Sequence, residues 1–159
     1  RQGIEEDLPR ARARRRQREA RAAVALCERN GLLLFVRRPP HGLLAGMWDF
    51  PSFDLATDDD ARTVVARGVR VEMGLQGEIG DALADVRHVF THMKLRCFPF
   101  RFAVRAGRAR TERYPEVRWA SPRQIERLAT SKLARRLLAT YLAVKPPRPK
   151  RATSRRVDR

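Results

Sequence analysis

The carboxylates around residue 60 are the first candidates for chemistry. Asp58, Asp59 and Asp60 precede a segment whose apolar residues recur at helical spacing, and Glu72 falls near its end. A carboxylate cluster can hold Mg²⁺ against phosphate groups, because magnesium prefers hard oxygen ligands. The three aspartates can instead stabilise the positive end of a helix, with Thr57 as its N-cap. We favour this capping role over metal binding.

A second candidate is the tripeptide Phe90-Thr91-His92, which lies between two segments with the composition of β-strands. A hydroxyl both donates and accepts hydrogen bonds, an aromatic ring can stack on a base, and a histidine can contact a phosphate or orient the loop. The alternative is an ordinary hairpin turn. Tight hairpins favour Gly or Asn, however, and this tip has neither.

The net charge of +17 points to a polyanionic partner, and most of it lies near the two ends of the chain. Residues 10–21 contain seven Arg and one Glu, and residues 145–159 contain seven basic residues and one Asp, so each segment has a net charge of +6. Such flanks attract nucleic-acid phosphates with steep salt dependence. A basic tail that only keeps the protein soluble would have the same composition. We expect the last segment to be disordered.

Several other classes of site have no support in the sequence. There is no Ser-His-Asp set, Cys-x-x-Cys pair, Walker loop or dinucleotide-binding glycine pattern. Cys27 and Cys97 stand alone in apolar runs, which predicts buried reduced thiols rather than a disulfide or metal pair. No apolar run reaches the roughly 18 residues of a membrane span, and no secretory signal is visible. Because the chain opens with Arg1 rather than Met, we expect it to be part of a longer protein.

Hydrophobic periodicity predicts the elements that position these residues. Strands are predicted over residues 21–28, 32–38, 82–90, 94–104 and 116–120. Helices are predicted over 58–73, after Ser121-Pro122, and from Ser131 to about Leu142. Arg29-Asn30-Gly31 forms the first hairpin turn, Gly74 ends the first helix, and Pro99 makes its strand an edge strand or a bulged one. This order predicts an α/β (α+β) fold with a mixed β-sheet flanked by helices. The length of 159 residues indicates one domain.

The order of elements, with "GMWDFP" before the first helix and "EMGL" at its end, resembles a Nudix domain. The Nudix pattern reads G-x5-E-x7-R-E-U-x-E-E-x-G-U, where U is a bulky aliphatic residue. Anchored on Gly74-Leu75, three positions are kept, namely Arg67, Val69 and Glu72. Four are changed: Phe53 for the first glycine, Asp59 for the early glutamate, and Gly68 and Val71 for two later glutamates. The remaining carboxylates make a poor magnesium site, so we expect the helix to keep its structural role without hydrolysis.

A closer resemblance is to the C-terminal Nudix-like domain of the adenine DNA glycosylases of the MutY type. It is carried by "LLLFVRRPPHGLLAGMWDFP", "VRHVFTHMKLRC" and "WASPRQIERLATSKLARRLL". The opening "RQGIEEDLPR" resembles the segment that follows the iron–sulfur cluster in that family. Altogether the resemblance spans roughly residues 1–142.

This resemblance implies a reader of DNA damage. In that family a separate N-terminal helical domain removes adenine mispaired with 8-oxoguanine, and the Nudix-like domain contacts the 8-oxoguanine. The family's hairpin tip reads Phe-Ser-His, and Thr91 keeps the hydroxyl. Guanine N7 is an acceptor, whereas in 8-oxoguanine it carries a hydrogen beside a new carbonyl, so a hydroxyl can register the change. Each such contact contributes about 1–3 kcal/mol.

The candidate DNA contacts are therefore grouped around the tip, namely Phe90, Thr91, His92, Arg87 and His88. Further phosphate contacts are expected from Arg37, Arg38 and Lys94, although Arg37 and Arg38 could merely end a strand. By its alternation in the strand, His88 is also compatible with a packed or hydrogen-bonded residue. We expect no catalytic or metal-binding residue in this chain. The family's catalytic Asp and Glu and its 4Fe–4S cluster belong to the missing N-terminal domain.

These expectations divide the chain into a basic interdomain linker (1–20), a Nudix-like 8-oxoguanine-recognition domain (21–143) and a disordered basic tail (144–159). The expected partners are double-stranded DNA with an 8-oxoguanine:adenine mispair and the N-terminal glycosylase domain of the same polypeptide. We expect a monomer that acts in base excision repair, in the bacterial cytoplasm with the nucleoid, with no membrane contact and no glycosylase activity of its own. The alternatives are a Nudix-type hydrolase of 8-oxo-dGTP or another nucleoside diphosphate derivative, and a protein-docking module.

Overall fold

The computed structural model describes residues 17–144, which form eight strands and three helices. The strands are β1 (Arg18–Arg29), β2 (Leu32–Arg37), β3 (Trp48–Asp49), β4 (Ser52–Asp54), β5 (Leu75–Ala82), β6 (Val86–Val89), β7 (Met93–Gly107) and β8 (Glu116–Ala120). The helices are α1 (Ala61–Val71), α2 (Pro122–Ile125) and α3 (Lys132–Ala143). The predicted α+β class is confirmed.

A single mixed sheet contains all eight strands in the order β3-β2-β1-β7-β5, with β4 on β1, β6 on β7 and β8 on β2. The long strands β1 and β7 run parallel at its centre, and the neighbouring pairs are antiparallel. The predicted first hairpin is confirmed, since Asn30 and Gly31 have φ angles of 51° and 75°. Such left-handed conformations are what a two-residue hairpin turn requires.

Side chains that alternate along β1 fill a core on each face of the sheet. Ala22, Val24 and Leu26 pack on the face that α2 and α3 cover, which we call the α3 face. Ala23, Ala25 and Cys27 pack on the opposite face, which α1 partly covers and which we call the α1 face. The burial of both faces explains why β1 reads as a continuous apolar run rather than an alternating one.

Helix α1 is shorter than predicted, and Thr57 is not its N-cap. Asp60 caps it instead, since its carboxylate accepts from the Thr63 backbone N–H at 3.1 Å and the Thr63 hydroxyl at 2.6 Å. Asp59 holds the preceding turn by accepting from the Ala56 backbone N–H at 2.8 Å. A capping role is therefore confirmed for Asp60, whereas Asp59 stabilises the preceding turn. Gly74, with φ 67°, follows the end of the helix as predicted.

The sheet is more extensive than the sequence pattern indicates. Strand β5 has few apolar residues and was not predicted, and β3 and β4 lie between the predicted second strand (32–38) and the predicted first helix (58–73). Strand β7 is not an edge strand, because β1 pairs on one side of it and β5 and β6 on the other. The Pro99 carbonyl accepts from the Leu83 N–H, so the missing proline N–H faces the gap between β6 and β5. Proline is tolerated there because no ladder bond is lost.

The two cysteines are free and buried, as predicted, one on each face of the sheet. Burial raises the pKa of each thiol to about 12. Strand β1 begins within the segment predicted as linker. Residues 1–16 of that linker and the tail beyond Val144 lie outside the described residues. None of the helices within residues 17–144 has the length and apolar character needed to cross a membrane.

Candidate nucleic-acid interface and altered metal site

The tripeptide Phe90-Thr91-His92 forms the tip of the β6–β7 hairpin, as predicted. Thr91 and His92 are exposed, whereas the Phe90 ring is half-buried against the α3-face core. The Phe90 ring also meets the His88 ring edge-on, with their centroids 4.7 Å apart. Thr91 and His92 are therefore the tip side chains presented to solvent, and Phe90 serves mainly to anchor the tip.

The hairpin tip is held by the start of β1 and by α3. Gln17 Nε2 donates to the Phe90 and Thr91 carbonyls at 3.3 and 3.4 Å, and the Arg18 N–H donates to the His92 carbonyl at 3.1 Å. From α3, the Arg136 guanidinium donates to the Arg87 carbonyl. A tip fixed by neighbouring elements loses less conformational entropy when it binds a partner.

His88 lies on the α3 face of β6, where it is half-buried. Burial lowers the pKa of its imidazole, and the positive charges of Arg136 and Lys132 lower it further. The neutral ring is therefore favoured, which agrees with the predicted packed role. Lys94, across the hairpin from Val89, is exposed close to the tip.

Arg37 and Arg38 both hold the loop that follows β2. Arg37 pairs with Glu116 at 3.1 Å and donates to the Gly46 carbonyl at 3.1 Å. Arg38 donates to the Leu43 carbonyl at 2.9 Å and lies 3.5 Å from the Asp49 carboxylate. These contacts give both arginines a structural role, and their predicted phosphate contacts stay a prediction.

A cavity of about 430 Å³ lies between the first half of β1, the loop after β2, the start of β7 and helix α3. Its lining includes Arg38 and the buried Asp49, and sequence reasoning did not single out Asp49. The available signal was an acidic residue in the apolar run "GMWDFP". Burial raises the pKa of the Asp49 carboxyl to about 6, although Arg38 and the Phe50 N–H both act to lower it.

Asp49 is expected to make folding stability depend on pH. The unfolded carboxyl titrates at 3.8 and the folded one at about 6, so the folded state holds one more proton between these values. The free energy of unfolding should therefore fall as the pH rises through this window, by up to about 3 kcal/mol. Urea unfolding across the window would show this slope in the wild type and its loss in Asp49→Asn. Equal slopes in the two proteins would contradict the prediction.

Gly68 stands where the Nudix pattern has a glutamate. The space that this glutamate side chain would need is taken by the Phe53 ring. A Cβ on Gly68 would lie only 2.4–2.6 Å from three carbons of the Phe53 ring. Phe53 in turn stands where the pattern has glycine, so a small and a large residue have exchanged places. The Phe53 ring is buried in the α1-face core. It occupies the space that a side chain at position 68 would need.

The carboxylate that remains at Glu72 forms an ion pair with Arg113, an arginine that the sequence patterns did not indicate. Arg113 Nη1 lies 2.7 Å from Glu72 Oε2, and its guanidinium sits 5.7 Å from the centre of the Phe53 ring. Arg113 also donates to the Ser52 carbonyl at 3.0 Å. Among residues 17–144, no three His, Cys, Asp or Glu side chains are grouped so that they could hold a metal ion.

Comparison with known families supports the fold and its relationships. Residues 22–140 match the model of the NUDIX domain. An adenine DNA glycosylase of Rattus norvegicus is 28% identical over 142 residues, which cover 85% of this chain and 28% of that enzyme. The chain thus spans little more than a quarter of that relative.

Two further matches are to a pyrophosphohydrolase and to the C-terminal domain of a MUTYH protein. The CTP pyrophosphohydrolase of Escherichia coli (strain K12) is 22% identical over 125 residues, covering 79% of this chain and 93% of that enzyme. The C-terminal domain of mouse MUTYH, solved in complex with human PCNA, superimposes with a TM-score of 0.64 and 26% identity, covering 79% of this chain and 89% of that one. This chain therefore belongs to the NUDIX domain family and is related to adenine DNA glycosylases, with the fold of the MUTYH C-terminal domain.

Proposed function

We propose that this chain is the 8-oxoguanine-reading domain of an adenine DNA glycosylase and that it has no glycosylase chemistry of its own. The observation that carries the proposal is the hairpin tip. It presents the Thr91 hydroxyl and the His92 imidazole to solvent on a hairpin braced from β1 and α3. The relationship to adenine DNA glycosylases supports DNA as the class of substrate, and the resemblance of the Phe-Thr-His tip to the Phe-Ser-His tip of that family leads us to propose the 8-oxoguanine:adenine mispair.

The chemistry of the lesion suits a hydroxyl at this place. Oxidation replaces the guanine N7 acceptor by a donor and adds a carbonyl oxygen next to it. Thr91 can accept from the new N–H, and His92 can bind a neighbouring phosphate or oxygen. Phe90 packs beneath the tip and anchors it to the domain, because its ring contacts the α3-face core.

We propose that this chain belongs to a polypeptide with a second, catalytic domain. Removal of adenine and the 4Fe–4S cluster are assigned to a separate glycosylase domain of the same polypeptide. Such a cluster needs about four thiolates, whereas this chain has two cysteines that lie on opposite faces of the sheet. We place the protein in the bacterial cytoplasm with the nucleoid, as a monomer.

Thr91→Val is expected to abolish most of the preference for 8-oxoguanine, because valine keeps the shape of threonine and lacks its hydroxyl. The measurement is fluorescence anisotropy with labelled duplexes that carry 8-oxoguanine:adenine or guanine:adenine. The ratio of the two affinities should fall at least about fivefold, which corresponds to about 1 kcal/mol. Thr91→Ser is the matched control and should keep the ratio. Equal binding of both duplexes by the wild type would overturn the proposal.

A second candidate function, nucleotide hydrolysis, is favoured by the cavity of about 430 Å³ and by the similarity to the CTP pyrophosphohydrolase. The altered metal site opposes it. Hydrolysis of a nucleoside triphosphate at a NUDIX-type site needs carboxylates that hold Mg²⁺ against the phosphates. Here Glu72 is paired with Arg113, and the Phe53 ring fills the place beside Gly68. We therefore favour the lesion reader.

A further inference from the structure

Three arginines stand side by side on neighbouring strands of the α1 face. Arg21 of β1 is the register partner of Arg96 of β7, and Arg96 is the partner of Arg87 of β6. We call Arg21, Arg87 and Arg96 the arginine row. Adjacent strands are about 4.8 Å apart, so the row extends over roughly 10 Å. Like charges directly opposite each other destabilise a sheet, so the row favours an anion from outside.

The charges of the row are only partly compensated within the described chain. Asp85 accepts from Arg96 at 2.8 Å, and Arg21 donates to the Thr57 carbonyl at 3.1 Å. Arg87 is exposed, and none of the ion pairs within residues 17–144 involves it. Lys94 adds a fourth positive charge to this face, where Asp85 pairs with Arg96 and Glu19 is the register partner of Lys94.

An aromatic ring holds two guanidinium groups of the row in place. The Arg96 and Arg21 guanidiniums lie 4.9 and 5.0 Å from the centre of the Phe98 ring. A guanidinium stacked on a ring keeps the N–H groups at its edge free, and these fit the oxygens of a phosphate. This arrangement presents flat, oriented donors to solvent instead of mobile side chains.

The arginine row lies close to the hairpin tip. Between them, on the same face, stand Lys94 and Val89, and Val89 is 62% exposed. Thr91 is four positions after Arg87, which is about 13 Å of extended chain. The major groove of DNA is about 12 Å wide. A tip that reaches a base from the groove therefore leaves the adjoining backbone within reach of the row.

We propose that the arginine row, together with Lys94, binds the phosphodiester backbone next to the base that the hairpin tip contacts. This proposal depends on the proposed function for its ligand, since it takes that ligand to be duplex DNA. The row supplies affinity that is independent of the lesion, while Thr91 and His92 supply discrimination. Phosphate contacts fix position and carry no direct sequence information.

The test is a variant with Arg21→Gln, Arg87→Gln and Arg96→Gln, assayed over a salt series with a lesion-containing and a plain duplex. Both affinities should fall at least about tenfold with their ratio unchanged. The slope of log K against log[salt] should shrink by about 0.9 for each lost phosphate contact. A matched control removes the same charge elsewhere, at Arg108, Arg118 and Arg123, which are all exposed. If the row variant and the control variant lose the same affinity and the same salt slope, the proposal is overturned.

The two proposals fail in different ways. If the wild type shows no lesion preference but the row variant still loses more affinity and salt slope than the control, the row is supported and the lesion reader is refuted. If the preference is present and the row variant matches the control, the row is refuted alone. Should the triple variant fail to fold, Arg87→Gln with Lys94→Gln gives the same comparison, because both residues are exposed. Its control is Arg108→Gln with Arg118→Gln.

Discussion

Gly68→Glu, which restores a glutamate of the Nudix pattern, is expected to lower the free energy of unfolding by at least about 3 kcal/mol. The new Cβ would lie 2.4 Å from the nearest Phe53 ring carbon, and the ring is confined by the α1-face core. Overpacking of this kind costs about 1–3 kcal/mol, and burying a carboxylate adds to it. Urea unfolding measures the loss.

Val71→Glu is the matched control, because it restores a second glutamate of the same pattern on the same helix. Val71 is 66% exposed, so this change should alter stability by no more than about 0.5 kcal/mol. The double variant Phe53→Gly with Gly68→Glu should lose less than the sum of its two single changes by about 1 kcal/mol or more. If the stability losses of the two single variants simply add in the double variant, the residues at positions 53 and 68 do not compensate for one another.

The altered metal site is also expected to prevent nucleotide hydrolysis. With Mg²⁺ and 8-oxo-dGTP or CTP, the wild type should release no pyrophosphate above background. Turnover that disappears in Glu72→Gln would instead establish a NUDIX hydrolase and refute the altered-site interpretation. Val71→Glu should stay inactive, because the glutamate that the Nudix pattern has at position 68 is still missing.

Arg101→Met should lower the free energy of unfolding by about 2–4 kcal/mol, because Arg101 secures the end of α3. Its side chain is 8% exposed and donates to the Tyr141 and Val144 carbonyls at 2.8 and 2.6 Å. The guanidinium also stacks on the Tyr141 ring at 4.0 Å and lies 3.7 Å from Glu28. Hydrogen bonds to a charged group contribute about 1.5–3 kcal/mol each. Two of its nitrogens, Nε and Nη1, are buried without a hydrogen-bond partner, which reduces the net effect.

The control for this change is Arg101→Lys, which keeps the positive charge but lacks the planar guanidinium. We therefore expect it to lower the free energy of unfolding by less than Arg101→Met does. Hydrogen exchange gives the specific signature. In Arg101→Met the amides in the last turn of α3 should exchange faster, while those of α1 stay protected relative to global unfolding. A urea midpoint equal to that of the wild type would contradict the role given to Arg101.

Elements that depend on local signals could be predicted from the sequence, whereas long-range pairs could not. Strand β8 and the start of α3 at Ser131 agree with prediction, since alternation and a capping serine are local patterns. Strand β5 was missed because it is held in place by pairing with β7 rather than by an apolar pattern. Thr57 was chosen as a cap because several acceptable capping residues are adjacent, and only the backbone decides among them.

The candidate site divides in the same way. The exposed position of Thr91 and His92 was predictable because the tip follows from two strand patterns. The partners that brace it could not be predicted, since Gln17 and Phe90 are 73 residues apart. Arg113 and Arg101 were missed for the same reason, as one arginine among many gives no local sign that it is paired. In the sequence, Phe53 and Gly68 are two separate departures from the Nudix pattern. The structure shows that they are linked, because the Phe53 ring lies against Gly68.

The direction of β1 decides how this domain can be tethered. The strand enters beside the hairpin tip at Arg18, and its other end, at Glu28, lies near Arg101 and the end of α3. The separation is about 33 Å along the strand. A surface, dye or fusion partner attached close ahead of Gln17 would therefore lie beside any duplex bound at the tip. One attached just after Val144 would start from the far side of the molecule, so C-terminal immobilisation is the orientation that leaves the DNA approach open.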